Sequence, residues 1–181
     1  LGGSYTQLTG IERDTRLLEG YAINLSEARQ MTDVMQNRLE NISQISSDFA
    51  GNLIASSSLS SEATNDALIE EATRNFETIV DSLNTQSAGR SLFAGDDIEV
   101  APLADPETIL AAIDTALIGA TTIADIETAI DLWFVDPAGF DTVAYAGSTT
   151  PLDPVKLSET SEVTVDIRAN ASEIKDVLSG F

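Results

Sequence analysis

The sequence predicts a mainly α protein with a small β part: a long antiparallel helical hairpin forming a rod, plus an inserted α+β lobe with two short helices and a small antiparallel sheet. Three observations predict this class. Apolar residues recur at heptad spacing from residue 11 to 53, two short segments in the middle of the chain begin with strong helix-start signals, and residues 162–168 alternate polar and apolar.

In the first helix, Ile11, Leu18, Leu25 and Leu39 fall on one seven-residue series. Tyr21, Ala28, Met35 and Ile42 lie on the series that completes an a/d stripe, which continues through Ile45, Phe49 and Leu53. Thr9 followed by Glu12 reads as a capping box, so a helix over about residues 10 to 50 would be on the order of 60 Å long. An amphipathic rod of that length needs a partner along its apolar stripe. Thr32 interrupts the first series, while Ala22 and Ala28 let another helix approach closely. The Ser-rich run at 55–61 is the expected turn, with Ser60 or Ser61 as cap and Glu62 in the first turn of a second helix. That helix carries Ile69, Ala72, Phe76, Ile79 and Leu83 at spacings of three and four. The expected packing core of the hairpin is Ile11, Leu18, Leu25, Met35, Leu39, Ile42, Ile69, Phe76, Ile79 and Leu83. Part of this stripe has an alternative reading, as a face that awaits another helix.

The middle segment opens with Gly95-Asp96-Asp97. Asp105-Pro106-Glu107 then places Asp at an N-cap, Pro at the first helical position and Glu in the first turn. Ile109, Ile113, Ala116 and Leu117 form the inward face of a short helix ending near Gly119. Thr122 and Asp125 make a capping box for a second, carrying Ile123, Ile126, Ile130 and Phe134 up to Asp136-Pro137. Residues 142–145 read as a short strand, and 162–168 as another with Val163, Val165 and Ile167 on one face; turn residues between them predict antiparallel pairing. Asn170 and Glu173 read as a capping box for a last helix with Ile174, Val177 and Leu178 inward. The domain division is 1–95 for the rod hairpin, 96–169 for the acidic lobe and 170–181 for the start of a further rod helix.

Nine basic residues stand against 30 acidic ones among 181, a net charge of −21, with no Cys and no His. Thiolate and imidazole chemistry is thereby excluded. The charge disfavours nucleic acid and anionic lipid as partners, and no run of about 20 apolar residues spans a bilayer. Residues 1–90 mix six basic with thirteen acidic residues, whereas 91–155 hold twelve acidic and no basic residue. The second segment reads as a solvent-facing decoration. Asp96, Asp97, Glu99 and Asp105 offer hard oxygen atoms of the kind Ca²⁺ takes, but their spacing does not fit an EF-hand loop, and a solvated turn is the default. No phosphate-binding glycine loop or nucleophile elbow is present. The expectation is a non-enzyme with no catalytic, cofactor or metal residues.

The segment from Asn84 to Gly95 reads as the exit from the hairpin. Leu83 closes the apolar stripe, Gly89 permits a left-handed residue, Leu92 and Phe93 dock the following chain, and Arg90 is expected to pair with a carboxylate. The pattern formed by Asn84, Thr85, Gly89, Arg90, Leu92, Phe93, Ala94 and Gly95, following a heptad-bearing helix, resembles the bacterial flagellin and hook-associated protein superfamily. Within it the form is most similar to the hook–filament junction branch, hook-associated protein 3, where Tyr is usual at the position of Ser91. Downstream, Tyr145-x-Gly147, the strand-like stretch from Val163 and Ala169-Asn170 entering a helix agree with that pattern, whereas the short helices at about 106–134 have no counterpart in it. The resemblance implies a structural subunit exported through the flagellar apparatus to the outside of the cell and needed for filament assembly and swimming. Its implied partners are copies of itself, hook-associated protein 1, flagellin and an export chaperone. It also implies terminal helices that pair as a coiled coil on assembly, so that the starts and ends at Leu1 and Phe181 read as trimmed. Alternatives are a filament flagellin and, in another class, an acidic secreted Ca²⁺-binding or adhesin module.

Overall fold

The computed structural model describes residues 2–56 and 61–181, with side chains from residue 9 onward. The molecule is mainly helical, with two small two-stranded antiparallel ladders. Helix α1 spans Gly2–Ser56 and α2 spans Glu62–Leu83. At 55 residues α1 is roughly 80 Å long. It passes unbroken through Thr9, so the helix start expected there lies inside the helix, and it continues through Ala55 and Ser56, where a turn was expected. Of that expected turn, residues 57–60 lie outside the described residues.

Helix α2 begins as its sequence predicts. The Ser61 hydroxyl accepts a hydrogen bond from the Thr64 backbone N–H at 3.2 Å, satisfying one of the donors a helix start leaves open. Asn52, near the end of α1, donates to the Glu71 carboxylate at 2.8 Å and ties α2 back onto α1. The two helices differ greatly in length, with 22 residues against 55. Their shared core therefore lies toward the end of α1: Met35, Ile42 and Phe49 are buried on α1, and Phe76, Ile79, Val80 and Leu83 on α2. Leu39 is partly buried against this cluster.

Three residues expected in the packing core stand outside it. Ile11 and Leu18 are 63% and 68% exposed, because α2 is too short to reach them; Leu25, nearer the body, is half-buried. Ile69 is 64% exposed: it precedes Phe76 by two turns on the same face of α2, beyond the region where later segments cover that face. Leu53, the last residue of the expected stripe, is also exposed.

After α2, the pair β1 (Gln86–Ser87) and β2 (Arg90–Ser91) forms a tight hairpin. Then come α3 (Pro106–Ala116), α4 (Ile123–Val135) and the single turn α5 (Phe140–Val143). The strands β3 (Val155–Lys156) and β4 (Glu162–Val163) pair with each other, and α6 (Ser172–Ser179) ends the chain. In α3, Pro106 takes the first helical position, while the Asp105 side chain makes no capping bond. In α4 the expected capping box is complete: Thr122 accepts from the Asp125 N–H at 3.2 Å and Asp125 from the Thr122 N–H at 2.9 Å. The Thr121 N–H, with further hydrogen bonds from Thr122 and the Thr121 hydroxyl, holds the Asp125 carboxyl below its usual range.

Two β expectations are corrected. Residues 142–145 do not form a strand: Phe140 and Ala144 are fully buried while Thr142, which an alternating strand would put on the same face, is exposed, as one helical turn allows. Only Tyr145 retains a β contact, an isolated antiparallel bridge to Leu103. Of 162–168, only Glu162–Val163 is a strand; of the expected inward face Val165 is partly buried against the core, while Val163 and Ile167 are 44% and 38% exposed. The last helix starts from Ala171, which makes no side-chain cap, so the expected box at Asn170 and Glu173 is not formed; Ile174 and Leu178 are nonetheless buried.

One buried cluster joins α1 and α2 to Leu92, Phe93, Ile109, Trp133, Phe140 and Leu178. Phe134 stacks on Phe140 at 5.4 Å, Trp133 meets both edge-on, and Phe181 stacks on Phe49 at 5.0 Å. The length mismatch of α1 and α2 gives a direct expectation. Ile79→Ala or Leu83→Ala should lower the unfolding free energy by about 2–5 kcal/mol, whereas Ile11→Ala or Leu18→Ala should change it by less than about 0.5 kcal/mol. Urea titration followed by circular dichroism reads the contrast, and equal losses at both ends would contradict it.

Candidate functional site

The hairpin exit is built by a reversal that needs two left-handed residues. Ala88 and Gly89 have φ of 51° and 76°, and Gln86 pairs with Ser91 and Ser87 with Arg90. Positive φ at both central positions is the type I′ pattern whose twist matches a β-hairpin. Gly89 supplies one of these positions without strain; Ala88 bears a Cβ in the same region.

Beyond the reversal, residues 91–95 are all buried. Their backbone groups are paired outward in several directions. Ser91 N–H donates to the Ile98 carbonyl at 2.8 Å, and its hydroxyl to the Val100 carbonyl at 2.6 Å. The Phe93 carbonyl accepts from Ala169 N–H at 2.9 Å, and the Ala94 carbonyl from Ser148 N–H at 2.8 Å. Asp96 N–H donates to Thr150 at 3.0 Å. Gly95, at φ 68°, lies so near the 148–150 loop that a Cβ would stand 2.5 Å from the Thr150 oxygen. A Cβ on Gly147 would lie 2.6 Å from the Tyr145 hydroxyl and 2.7 Å from the Ala94 oxygen. Both positions thus require glycine for close backbone approach.

Asn84 completes this knot from the end of α2. Its side chain accepts from Leu103 N–H at 2.9 Å and donates to the Leu103 carbonyl at 3.1 Å, acting as a surrogate strand partner. The Thr85 hydroxyl donates to the Asp81 carbonyl one turn back and its N–H to the Ser82 carbonyl, both at 3.4 Å. The motif residues Asn84, Leu92, Phe93, Ala94 and Gly95 are therefore brought together as interior, whereas Gly89 and Arg90 lie exposed at the reversal. Arg90 makes none of the ion pairs among the described residues, contrary to expectation.

Beside the reversal lies a cleft of about 600 Å³ that the sequence did not announce. Its floor is Ala28, Met31 and Leu92, its far wall is the 152–156 segment, and Arg90, Lys156, Glu27 and Asp153 stand around it. Asn24 of α1 donates to the Lys156 carbonyl at 3.3 Å and fastens the wall. Its parts come from positions more than a hundred residues apart, which no local pattern links.

Asp96, Asp97 and Glu99 are exposed, and among the described residues no three or more acidic side chains gather as a metal site. No described helix is long and apolar enough to cross a membrane. Compared with protein-family models, curated proteins and solved structures, the chain matches none of them.

Tyr145 seals the knot by donating its hydroxyl hydrogen bond to the Ser148 carbonyl at 2.8 Å. Burial pushes its phenol from 10.0 up to about 12, with Arg168 pulling it back and Asp141 adding to the rise. A raised folded-state pKa means that its contribution is fully present below pH 10 and is lost as pH climbs toward 12. Phenolate absorbance should show a late step from Tyr145, and Tyr145→Phe should remove it. Within the motif, Gly95→Ala should destabilise by more than about 2 kcal/mol through backbone overlap, Asn84→Ala by about 1–3 kcal/mol through the stranded Leu103 groups, and Gly89→Ala by only about 1 kcal/mol. Thermal unfolding of the three variants would reveal the ranking.

Proposed function

We propose that this chain is a non-enzymatic structural subunit of the bacterial flagellum, of the type that joins hook to filament. The observation that carries the reading is the run Gly89-Arg90-Ser91-Leu92-Phe93-Ala94-Gly95 directly after a long amphipathic helix and its partner. The reading is supported by the work those residues do: Leu92 to Gly95 make the buried exit that turns the chain out of the helices, and Tyr145 and Gly147 pack against it. It is also supported by the exposed apolar residues Ile11 and Leu18, one heptad apart on the first part of α1, a face suited to packing against other chains.

On this reading the subunit is exported, packs with copies of itself outside the cell, and stands between hook-associated protein 1 and flagellin. The absence of Cys suits export in an unfolded state, since no disulfide has to form or be avoided in transit. A filament flagellin is the runner-up; the pairing of Arg90 with Phe93-Ala94-Gly95 favours the junction type.

Deleting the gene in its own host separates the two. Electron microscopy should show hooks without filaments, with flagellin shed into the medium and swimming lost, and the full-length gene should restore both. Intact filaments on the deletion strain would overturn the reading, and filaments shortened or missing while flagellin is no longer made would favour the runner-up. The purified 181-residue chain should run as a monomer by light scattering at micromolar concentration; a stable, salt-insensitive dimer would count against the reading.

A further inference from the structure

The α3–α4 pair projects from the body, and its burial falls steadily toward the tip. At the base, Ile109 is 0% and Phe134 3% exposed; at the connecting turn, Ile118 and Ile123 are 81% and 77% exposed. Two large apolar side chains therefore stand at the far end of a protrusion, flanked by the exposed carboxylates Asp114, Asp125 and Glu127. The turn that bears them is well formed, with Gly119 at φ 98° and the complete Thr122–Asp125 capping box.

The cleft beside the hairpin reversal has the complementary character. After residue 84 the chain has four basic residues: Arg90, Lys156, Arg168 and Lys175. Arg168 pairs with Asp166 at 2.8 Å and Lys175 with Asp141 at 2.7 Å. Arg90 and Lys156 enter no ion pair among the described residues, and both line the cleft, over an apolar floor that includes Met31 and Leu92. Glu27 and Asp153 on the same rim leave the cleft close to neutral on a molecule of charge −21. It is thus a place where another strongly acidic copy meets little repulsion, and its two cations face outward.

From this we infer that the cleft is a socket for the α3–α4 tip of a second copy of this chain, with Ile118 and Ile123 on the apolar floor and the flanking carboxylates meeting Arg90 and Lys156. Because tip and socket are different surfaces, the contact is heterologous, the kind that extends an assembly rather than closing a simple two-fold dimer. The inference rests on the self-packing reading above, and the two fail separately: the contact is tested on purified chain, the reading on filaments in the deletion strain.

The chain has no Cys, so single engineered thiols report contacts without background. Ile118→Cys on the tip and Gln30→Cys on the cleft rim are both solvent-accessible, and Asp66→Cys on the exposed face of α2 serves as control. Equal mixtures of two variants at millimolar concentration are oxidised, with circular dichroism checking that each is folded. The mixed 118–30 disulfide should form at least about tenfold faster than 118–66 or 66–30, and Arg90→Glu with Lys156→Glu should abolish that preference, a difference of about 1.4 kcal/mol in contact strength. Equal rates for the three pairs, or a preference that survives the double charge reversal, would overturn the contact. Filament restoration by a full-length gene carrying Ile118→Asp would likewise overturn it in the assembled structure.

Discussion

Residues 91–95 form neither a helix nor a full strand, yet the placement of much else follows from them. Their buried backbone groups are paired with Ile98, Ser148 and Ala169, three points far apart in the chain. A buried peptide group left unpaired costs about 1–3 kcal/mol, so these partners are effectively obligatory. The end of α2, the 148–150 loop and the approach to α6 are therefore positioned as one unit. The bond from Ala169 to Phe93 sets where α6 begins; from there Ile174 and Leu178 reach the core, and Phe181 reaches Phe49. A small tertiary knot, rather than either long helix, determines how the lobe and the hairpin are joined.

The hairpin itself is unequal. Helix formation propagates cheaply once begun, so the packed second half of α1 can sustain a first half that has little to lean on. That half still leaves Ile11, Leu18 and Ile23 in water, a hydrophobic cost that the folded chain alone does not recover. Local opening free energies should therefore grade along α1, low where Ile11 lies and high where Met35 and Ile42 meet α2. The rod is thus firm at the body and loosely held beyond it.

How much of this was legible in the sequence depended on how local each signal is. The Ser61 cap, the Pro106 start and the Thr122–Asp125 box are decided within four residues and are present, whereas the equally local boxes expected at Thr9 and Asn170 are not the starts used: α1 runs through Thr9 and α6 starts from Ala171. The heptad stripe correctly marked α1 as amphipathic, but periodicity says which residues share a face and nothing about what covers it; hence Met35 and Phe76 are buried while Ile11, Leu18 and Ile69 are not. The stretch at 142–145 is β-prone by composition, but burying Phe140, Ala144 and Tyr145 while Thr142 faces water takes a helical turn, and that packing overrode the preference. In the hairpin exit, Gly89 pointed to left-handed backbone, as found, whereas the left-handed Gly95, the role of Asn84 toward Leu103 and the cleft with Arg90 and Lys156 arise from tertiary approach alone.

The acidic excess gains a finer meaning from the same geometry. With no basic residue between 91 and 155, that segment must take its neutralising charge from other parts of the chain. It does so along its seam with the last segment. Lys175, 14% exposed, meets the half-buried Asp141 at 2.7 Å and lies 5.3 Å over the Phe140 ring, and Arg168 bonds both Asp166 and the Thr149 carbonyl. Sheltered pairs of this kind are screened by salt far less than the exposed pairs Arg16–Glu12 and Arg74–Glu70. Scarce cations thus work where they are shielded, at the seam that docks α6, while the remaining carboxylates face water. Repulsion among those carboxylates opposes random association at every surface except where cations or neutral apolar residues interrupt it. A strongly acidic chain of this kind repels its like over most of its surface, and the few interruptions in that charge are where contact with another molecule is physically easiest.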